Sequence, residues 1–258
     1  MLLAIDAGNT NFTFAVYGRD GQMAHSWRCR TDPLRTADEY AAWFFQLLSM
    51  KGLRLDAIHD AIISSVVPDA NFHLQLFCRQ TLGVEALMVT AQMDLGLTIA
   101  LDRPAEIGAD RLVNAVAVLR DYKTPAIVID FGTATTFDVI NGKGEYCGGA
   151  IAPGANLSMS ALHMAAAKLP KISVQKTQSV IGHDTVSAMQ SGVYWGYVGL
   201  IEGMVRRIAE ELGEKPFVIA TGGLAGLFAE SIECIDKTDE DLTLRGLMYI
   251  YLRCKGDG

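Results

Sequence analysis

The sequence predicts an α/β protein of two duplicated domains, each built on a mixed sheet, and three observations carry that expectation. The first is a pair of look-alike segments, LLAIDAGNTNFTFAVY (Leu2 to Tyr17) and AIVIDFGTATTFDVI (Ala126 to Ile140). Each has an apolar run, an acid, a polar turn containing Gly, and a returning run of alternating apolar residues, which is the pattern of a β-hairpin. The second is their alignment at one constant offset. Ile5-Asp6-x-Gly8 matches Ile129-Asp130-x-Gly132, and Val16 falls on Ile140. Copies so far apart are too distant for a solenoid repeat and read as duplicated domains. The third is that helices and further strands follow each hairpin, and βαβ order mixed with antiparallel hairpins implies mixed sheets.

The elements follow in order. Thr36-x-x-Glu39 is a capping box ahead of the helical run YAAWFFQLLSM. DAIISSVV reads as a strand, and RLVNAVAVLRDY (Arg111 to Tyr122) as a helix with Asp110 at its start. The domain boundary falls near that helix, giving domains 1–115 and 116–258. A longer helix runs from near Asp184 toward Glu211, KPFVIATGG supplies a strand, and LMYIYL (Leu247 to Leu252) is the buried face of a terminal helix. The final KGDG is expected to fray. On the long helix Gly192, Gly196, Gly199 and Gly203 share one face. Each such Gly costs about 0.5–1 kcal/mol relative to Ala, so the stripe implies a closely packed helix, in the same chain or across a dimer. Glu202, Arg206 and Arg207 argue against a membrane span here.

Half the 258 residues are hydrophobic and a fifth are charged, enough apolar surface for a sizeable core. The net charge of −7 disfavours nucleic acid as a partner, since that grip needs clustered Lys and Arg. An anionic substrate must then be held by a local pocket. The start MLLAIDAGNT does not read as a signal peptide, and no apolar run is long enough for a bilayer, so a cytoplasmic protein without a membrane partner is expected. The five cysteines are scattered, which fits neither a disulfide framework nor a zinc site and suits a reducing compartment.

Three loops and one helix start carry the chemistry. In Asp6-Ala7-Gly8-Asn9-Thr10-Asn11-Phe12-Thr13, a Gly turn brings N–H groups to a phosphate, while Asn9, Thr10 and Thr13 add donors. Asp6, at the strand end, is placed to hold a hydrated Mg²⁺ that bridges phosphate oxygens. There is no Lys in the turn and no Walker A pattern. Alone, the segment fits an ordinary hairpin turn equally well. The second copy, Asp130-Phe131-Gly132-Thr133-Ala134-Thr135-Thr136, changes that balance, because two such loops form the phosphate clamp of the class that holds actin, sugar kinases and chaperone ATPases. The chain resembles that class. Thr221-Gly222-Gly223-Leu224-Ala225, after a strand, is a third loop suited to a nucleotide. Asp110-Arg111 at a helix start puts a base beside a cation, as transfer to an alcohol requires; a capping Asp beside a surface Arg explains the same pair.

Eight motifs occur together and in order: DxGNT, SSVVP (Ser64 to Pro68), GADRxxNA (Gly108 to Ala115), DFGTATT, GGAIAPG (Gly148 to Gly154), AAKLPK (Ala166 to Lys171), GHDTVSAMQSG (Gly182 to Gly192) and ATGGLA (Ala220 to Ala225). Over nearly the whole chain they resemble type III pantothenate kinases. The resemblance implies two duplicated actin-like (ribonuclease H-like) domains with mixed sheets flanking a nucleotide cleft. It implies transfer of the ATP γ-phosphate to pantothenate. Asp6 to Thr13 and Thr133 would bind ATP; Gly108, Ala109, Asp110, Arg111 and Thr185 would contact pantothenate. Asp110 would accept the proton, and Asp130 would bind a monovalent cation, K⁺ or NH₄⁺. A homodimer with the active site near its interface is implied too. The chain departs from the family's YxNP ahead of GADR, with Leu101-Asp102-Arg103-Pro104 in its place. Two other readings stay open: a non-catalytic transcriptional accessory relative, and a kinase for another small hydroxy acid or sugar.

Overall fold

The computed structural model describes residues 1–165 and 169–256. Along the chain lie β1 (Leu2–Ala7), β2 (Asn11–Tyr17), β3 (Met23–Arg30), α1 (Ala37–Met50), β4 (Asp60–Ser65), α2 (Pro68–Phe77), β5 (Ala86–Met88), β6 (Thr98–Ile99) and α3 (Ala109–Asp121). They are followed by β7 (Ala126–Phe131), β8 (Ala134–Ile140), β9 (Glu145–Pro153), α4 (Ala155–Ala165), α5 (Thr185–Leu212), β10 (Phe217–Thr221), α6 (Ala225–Ala229), β11 (Lys237–Thr238) and α7 (Leu242–Lys255). The chain divides into two compact units. One joins Met1–Leu97 and Asp102–Arg120 to the chain from Leu242 onward; the other joins Thr98–Leu101 to Asp121–Asp241.

The sheet of the first unit runs β3-β2-β1-β4-β5. β1 is antiparallel to β2 and parallel to β4. Its Leu2, Leu3, Ala4 and Ile5 are all buried, as a central strand covered on both faces requires. β3 alternates half-buried and exposed residues, the signature of an outer strand with one wet face. Thr36 and Glu39 form the expected capping box, the Thr36 N–H donating to the Glu39 carboxylate at 2.8 Å. α1 then buries Tyr40, Phe44 and Leu48, and its rings meet those of Phe14 and Phe77 at centroid separations of 5.7 to 6.2 Å. Aromatic contacts at such distances add to simple area burial.

α7 packs with the first unit, whereas the linear division had placed it in 116–258. The Thr243 hydroxyl donates to Asn114 Oδ1 at 2.7 Å, and a Cβ on Gly246 would stand 2.2 Å from the Val113 carbonyl oxygen. Gly246 thus lets α7 seat against α3, and Arg253 completes the docking with a fork to Asp94. A chain that crosses back to finish its first sheet layer cannot be divided by a single cut.

The sheet of the second unit runs β11-β10-β7-β8-β9-β6. β7 is antiparallel to β8 and parallel to β10, repeating the plan of β1, β2 and β4. The duplication is real but the offset is not constant. Val16 pairs with Leu3, whereas the residue opposite Ile127 is Val139, not Ile140. The first hairpin turn is one residue longer, so Val16 corresponds to Val139. Around β7 the core gathers Ile127, Ile129, Phe137, Tyr194 and Phe228. α5 begins where the sequence placed it: Asp184 caps it, accepting from the Ser187 N–H at 2.9 Å.

The glycine stripe of α5 is open. A Cβ on Gly192, Gly196 or Gly199 would meet nothing within 4 Å, and one on Gly203 would meet only the end of the Arg207 side chain. Among the described residues no helix is long and apolar enough to cross a membrane.

Candidate active site

In the first unit the turn between β1 and β2 is tied down at both ends of its arc. The Gly8 N–H donates to the Asn11 carbonyl at 3.1 Å, and a Cβ on Gly8 would stand 3.1 Å from that oxygen, so the closeness of the turn, not an unusual φ, favours Gly here. Thr31 clasps the turn from β3's end: its hydroxyl donates to the Gly8 carbonyl at 2.6 Å and its N–H to the Thr10 carbonyl at 3.0 Å. Asn9, Thr10 and Asn11 are exposed at the tip, while Phe12 is buried against Tyr40. The Phe12 side chain therefore anchors the loop and leaves the polar side chains of Asn9, Thr10 and Asn11 at the surface.

Asp6 is the penultimate residue of β1 and half-buried. Sheet register sets it opposite Thr13 on β2 and Ser64 on β4, and sets Thr13 opposite Arg28 on β3. Directly paired residues point to the same face, so Arg28, Thr13, Asp6 and Ser64 form one row across four strands. Burial pushes the Asp6 carboxyl up to about 7, and the charge of Asp110 adds to the rise; the Ser64 hydroxyl and the Arg28 guanidinium pull it back.

Asp110 is the second residue of α3, inside the helix and not ahead of it. Its Oδ1 accepts from the Arg111 N–H at 2.8 Å. Gly108 makes the carboxylate's position possible, because a Cβ there would lie 2.6 Å from Asp110 Oδ1 and 3.4 Å from Val66 Cγ1. Burial raises the Asp110 carboxyl above its ordinary value, against the pull of the Arg111 N–H and guanidinium. The first unit therefore gathers Asp6, the Gly8 turn, Asp110 and Arg111 around the ends of β1 and β4.

In the second unit Asp130 is the penultimate residue of β7, opposite Thr136, and after Phe131 comes the two-residue turn Gly132-Thr133. Two other loops close on it. Gly154, after β9, donates its N–H to the Thr133 carbonyl at 3.1 Å, and a Cβ on it would lie 2.3 Å from that oxygen. Gly222 adopts φ 89°, and a Cβ there would stand 2.3 Å from Asp130 Oδ1. Only Gly fits that position on both counts. GGAIAPG and ATGG thus exist to let backbone crowd the DFGT turn. Thr185 is exposed, at the first turn of α5. Leu101, at the departure from YxNP, lies against Gly148. Of AAKLPK, residues 166–168 lie outside the described residues.

Ser64 and Arg28 were not singled out from sequence. Ser64 carried a signal within SSVVP; Arg28 had only its place in an alternating strand. Asn114 of GADRxxNA turns out to hold α7.

Two mixed sheets with the same β1-β2-β4-like core, each ending in an acid and a Gly-hydroxyl turn, define the actin-like ATPase and sugar kinase fold class. Solved structures agree on the fold. A Sinorhizobium meliloti protein provisionally assigned as a 2-dehydro-3-deoxygalactonokinase matches with TM-score 0.61 at 13% identity, over 98% of this chain and 96% of that one. The activator of 2-hydroxyisocaproyl-CoA dehydratase from Clostridium difficile, with bound ADPNP, matches with TM-score 0.56 at 12% identity, over 98% and 94%. A Campylobacter jejuni protein provisionally assigned to the Baf family of transcriptional activators gives 0.64 at 18%, over 98% and 99%. Likeness at these identities speaks for fold alone.

Within that class the family is specific. The type III pantothenate kinase family model matches residues 2–207. Curated proteins named type III pantothenate kinase are similar along their whole length: that of Paramagnetospirillum magneticum is 59% identical over 98% of this chain and 97% of its own. That of Rhodospirillum rubrum is 54% identical over 100% of both. The chain belongs to the type III pantothenate kinase family.

Proposed function

We propose that the protein transfers the γ-phosphate of ATP to the primary hydroxyl of pantothenate, giving ADP and 4′-phosphopantothenate for coenzyme A synthesis. The observation that carries the reading is the buried Asp110 carboxylate beside Gly108, near enough to Asp6 for its charge to act there, in a chain of this family. Phosphoryl transfer needs little covalent help from the protein; it needs alignment, charge neutralisation and a late proton acceptor. Asp110 is that acceptor. Its burial raises its proton affinity, which suits a base that must take a hydroxyl proton as the bond to phosphorus forms. Arg111 holds the pantothenate carboxylate in a planar, two-bond grip, with Gly108, Ala109 and Thr185 against the rest of the substrate. Asp6 to Thr13 and Thr133 hold the phosphates of ATP.

The residues present fit the expected ions. The acid at Asp6, with the charge of Asp110 acting on it, favours a divalent cation near it, and Mg²⁺ characteristically shares few carboxylates with phosphate and water. Bound Mg²⁺ would neutralise charge on the β- and γ-oxygens; Asp6 would hold it through water. Asp130, whose Oδ1 lies against Gly222 just ahead of the Gly132-Thr133 turn, would hold the K⁺ or NH₄⁺, and there a monovalent ion would screen Asp130 from the nucleotide.

A cytoplasmic homodimer is part of the proposal. The open stripe of Gly192, Gly196 and Gly199 supports it, since Gly192 and Gly196 border a shallow groove of about 480 Å³ that also has Leu162, Val193 and Leu200 in its lining. Small residues on an exposed face allow close approach of a second helix, and a closed two-fold contact would repeat it on both copies.

The test is steady-state ADP release by the full chain with pantothenate present and omitted, in K⁺ and in Na⁺ buffers, with the product identified by mass. Release that depends on pantothenate supports the reading; release indifferent to it overturns it.

A further inference from the structure

We propose that Arg28 is a phosphate-contacting residue, its guanidinium meeting terminal phosphate oxygens of ATP beside Asp6. The proposal rests on the kinase reading and adds a cation to it. The loop from Asp6 to Thr13 contains no Lys or Arg. It would therefore present a nucleotide polyanion with N–H groups and hydroxyls only, next to the carboxylates of Asp6 and Asp110. Like charges at that spacing repel strongly where water is thin, and a divalent ion offsets only part of the phosphate charge. A cation fixed on the first unit beside Asp6 would offset more of it, and the sheet places one there.

The register is the first ground. Arg28 pairs with Thr13, and Thr13 pairs with Asp6, so the three side chains leave the same face in one row. Neighbouring strands are about 4.8 Å apart, which puts the Arg28 backbone roughly 10 Å from that of Asp6, within reach of a long side chain aimed along the row. The second ground is that the Arg28 guanidinium makes no hydrogen bond or ion pair with a described residue. Arg54, Arg79, Arg103 and Arg253 each have a carboxylate partner. The third ground is the choice of residue type. A planar guanidinium grips two phosphate oxygens at once, which an ammonium cannot do. Arg30 lies on the same face of β3 opposite Asn11, one pleat nearer the turn and one residue pair removed from the row that holds Asp6. It is the natural comparison.

The experiment compares wild type with Arg28→Ala, Arg28→Gln, Arg28→Lys and Arg30→Ala, all as full chains. For Arg28→Ala, kcat/KM for ATP falls about 10²–10³-fold, the usual cost of removing one preorganised phosphate or oxyanion donor. KM for pantothenate and the melting temperature stay near wild type. Arg28→Lys falls between, and millimolar guanidinium restores part of the Arg28→Ala loss. Should Arg28→Ala fail to fold, Arg28→Gln decides. Values of kcat/KM for ATP within about threefold of wild type in Arg28→Ala or Arg28→Gln overturn the proposal, as does an equal loss in Arg30→Ala. Calorimetric titration with MgATP separates this from the kinase reading. A wild type inactive on pantothenate sinks that reading, while an ATP affinity about tenfold weaker in Arg28→Ala still supports the contact and equal affinities still overturn it.

Discussion

The carboxyls of Asp6 and Asp110, one at the end of β1 and the other in the first turn of α3, lie close enough that the charge of Asp110 helps to lift Asp6 to about 7. Gly108 stands directly beside this pair. Its missing Cβ is the space occupied by Asp110 Oδ1, 2.6 Å from where that carbon would be. Most of what can be tested follows from this crowding.

Gly108→Ala displaces the Asp110 carboxylate without touching the core, since Val66 Cγ1 at 3.4 Å is ordinary contact. The expected result is a kcat loss comparable with that of Asp110→Asn, about 10²–10⁴-fold for a missing proton acceptor, with ATP binding and melting temperature retained. A Gly108→Ala enzyme with wild-type kcat, measured by coupled ADP release, would show that the Asp110 position is not critical. Wild-type kcat in Asp110→Asn would reduce Asp110 to a helix-start acid.

Asp6 has a folded pKa above that of an exposed carboxyl. Between about pH 4 and pH 7 the folded protein therefore holds more protons than the unfolded chain, so stability falls as pH rises through that window. Asp6→Asn removes this dependence. In the ligand-free state the variant should gain stability over wild type between about pH 5 and pH 8, on the order of 1–3 kcal/mol and a few degrees in melting temperature, while losing activity. Parallel melting curves for the two proteins across that range would contradict the assignment.

Asp130 is hemmed in by Gly222, and an uncompensated carboxylate there would oppose a nucleotide phosphate. Activity should rise on replacing Na⁺ by K⁺ or NH₄⁺, and Asp130→Ala should abolish both the dependence and most of the rate. Gly222→Ala, whose Cβ would meet Asp130 Oδ1 at 2.3 Å in a φ of 89°, should reproduce the loss. Equal initial rates in Na⁺ and K⁺ buffers would remove the cation from the scheme.

Gly196→Leu tests the homodimer, because the position is exposed and a Cβ there meets nothing within 4 Å of its own chain. Light scattering should show the variant shifted to monomer, with weaker pantothenate affinity and an unchanged melting temperature of the isolated subunit. A monomeric, fully active wild type would end the dimer proposal.

Local pattern was enough to read the two hairpins, the capping box at Thr36, the start of a long helix near Asp184, and the Asp-Gly turns. Each depends on residues a few positions apart, whose steric and hydrogen-bond needs are written in adjacent letters. The family, too, was legible from motif order. What the sequence could not determine depends on residues brought together from afar. The extra turn residue that shifts Val16 onto Val139 is visible only in the ladder. The return of α7 to α3 rests on Gly246 and Thr243 meeting Val113 and Asn114, a closure that no local periodicity encodes. Asp6 and Asp110 come near each other only when the chain folds, and burial, which sets the proton affinity of both, is a property of the packed chain. Arg28 joins them for the same reason: strand pairing, not sequence distance, puts Arg28, Thr13 and Asp6 in one row.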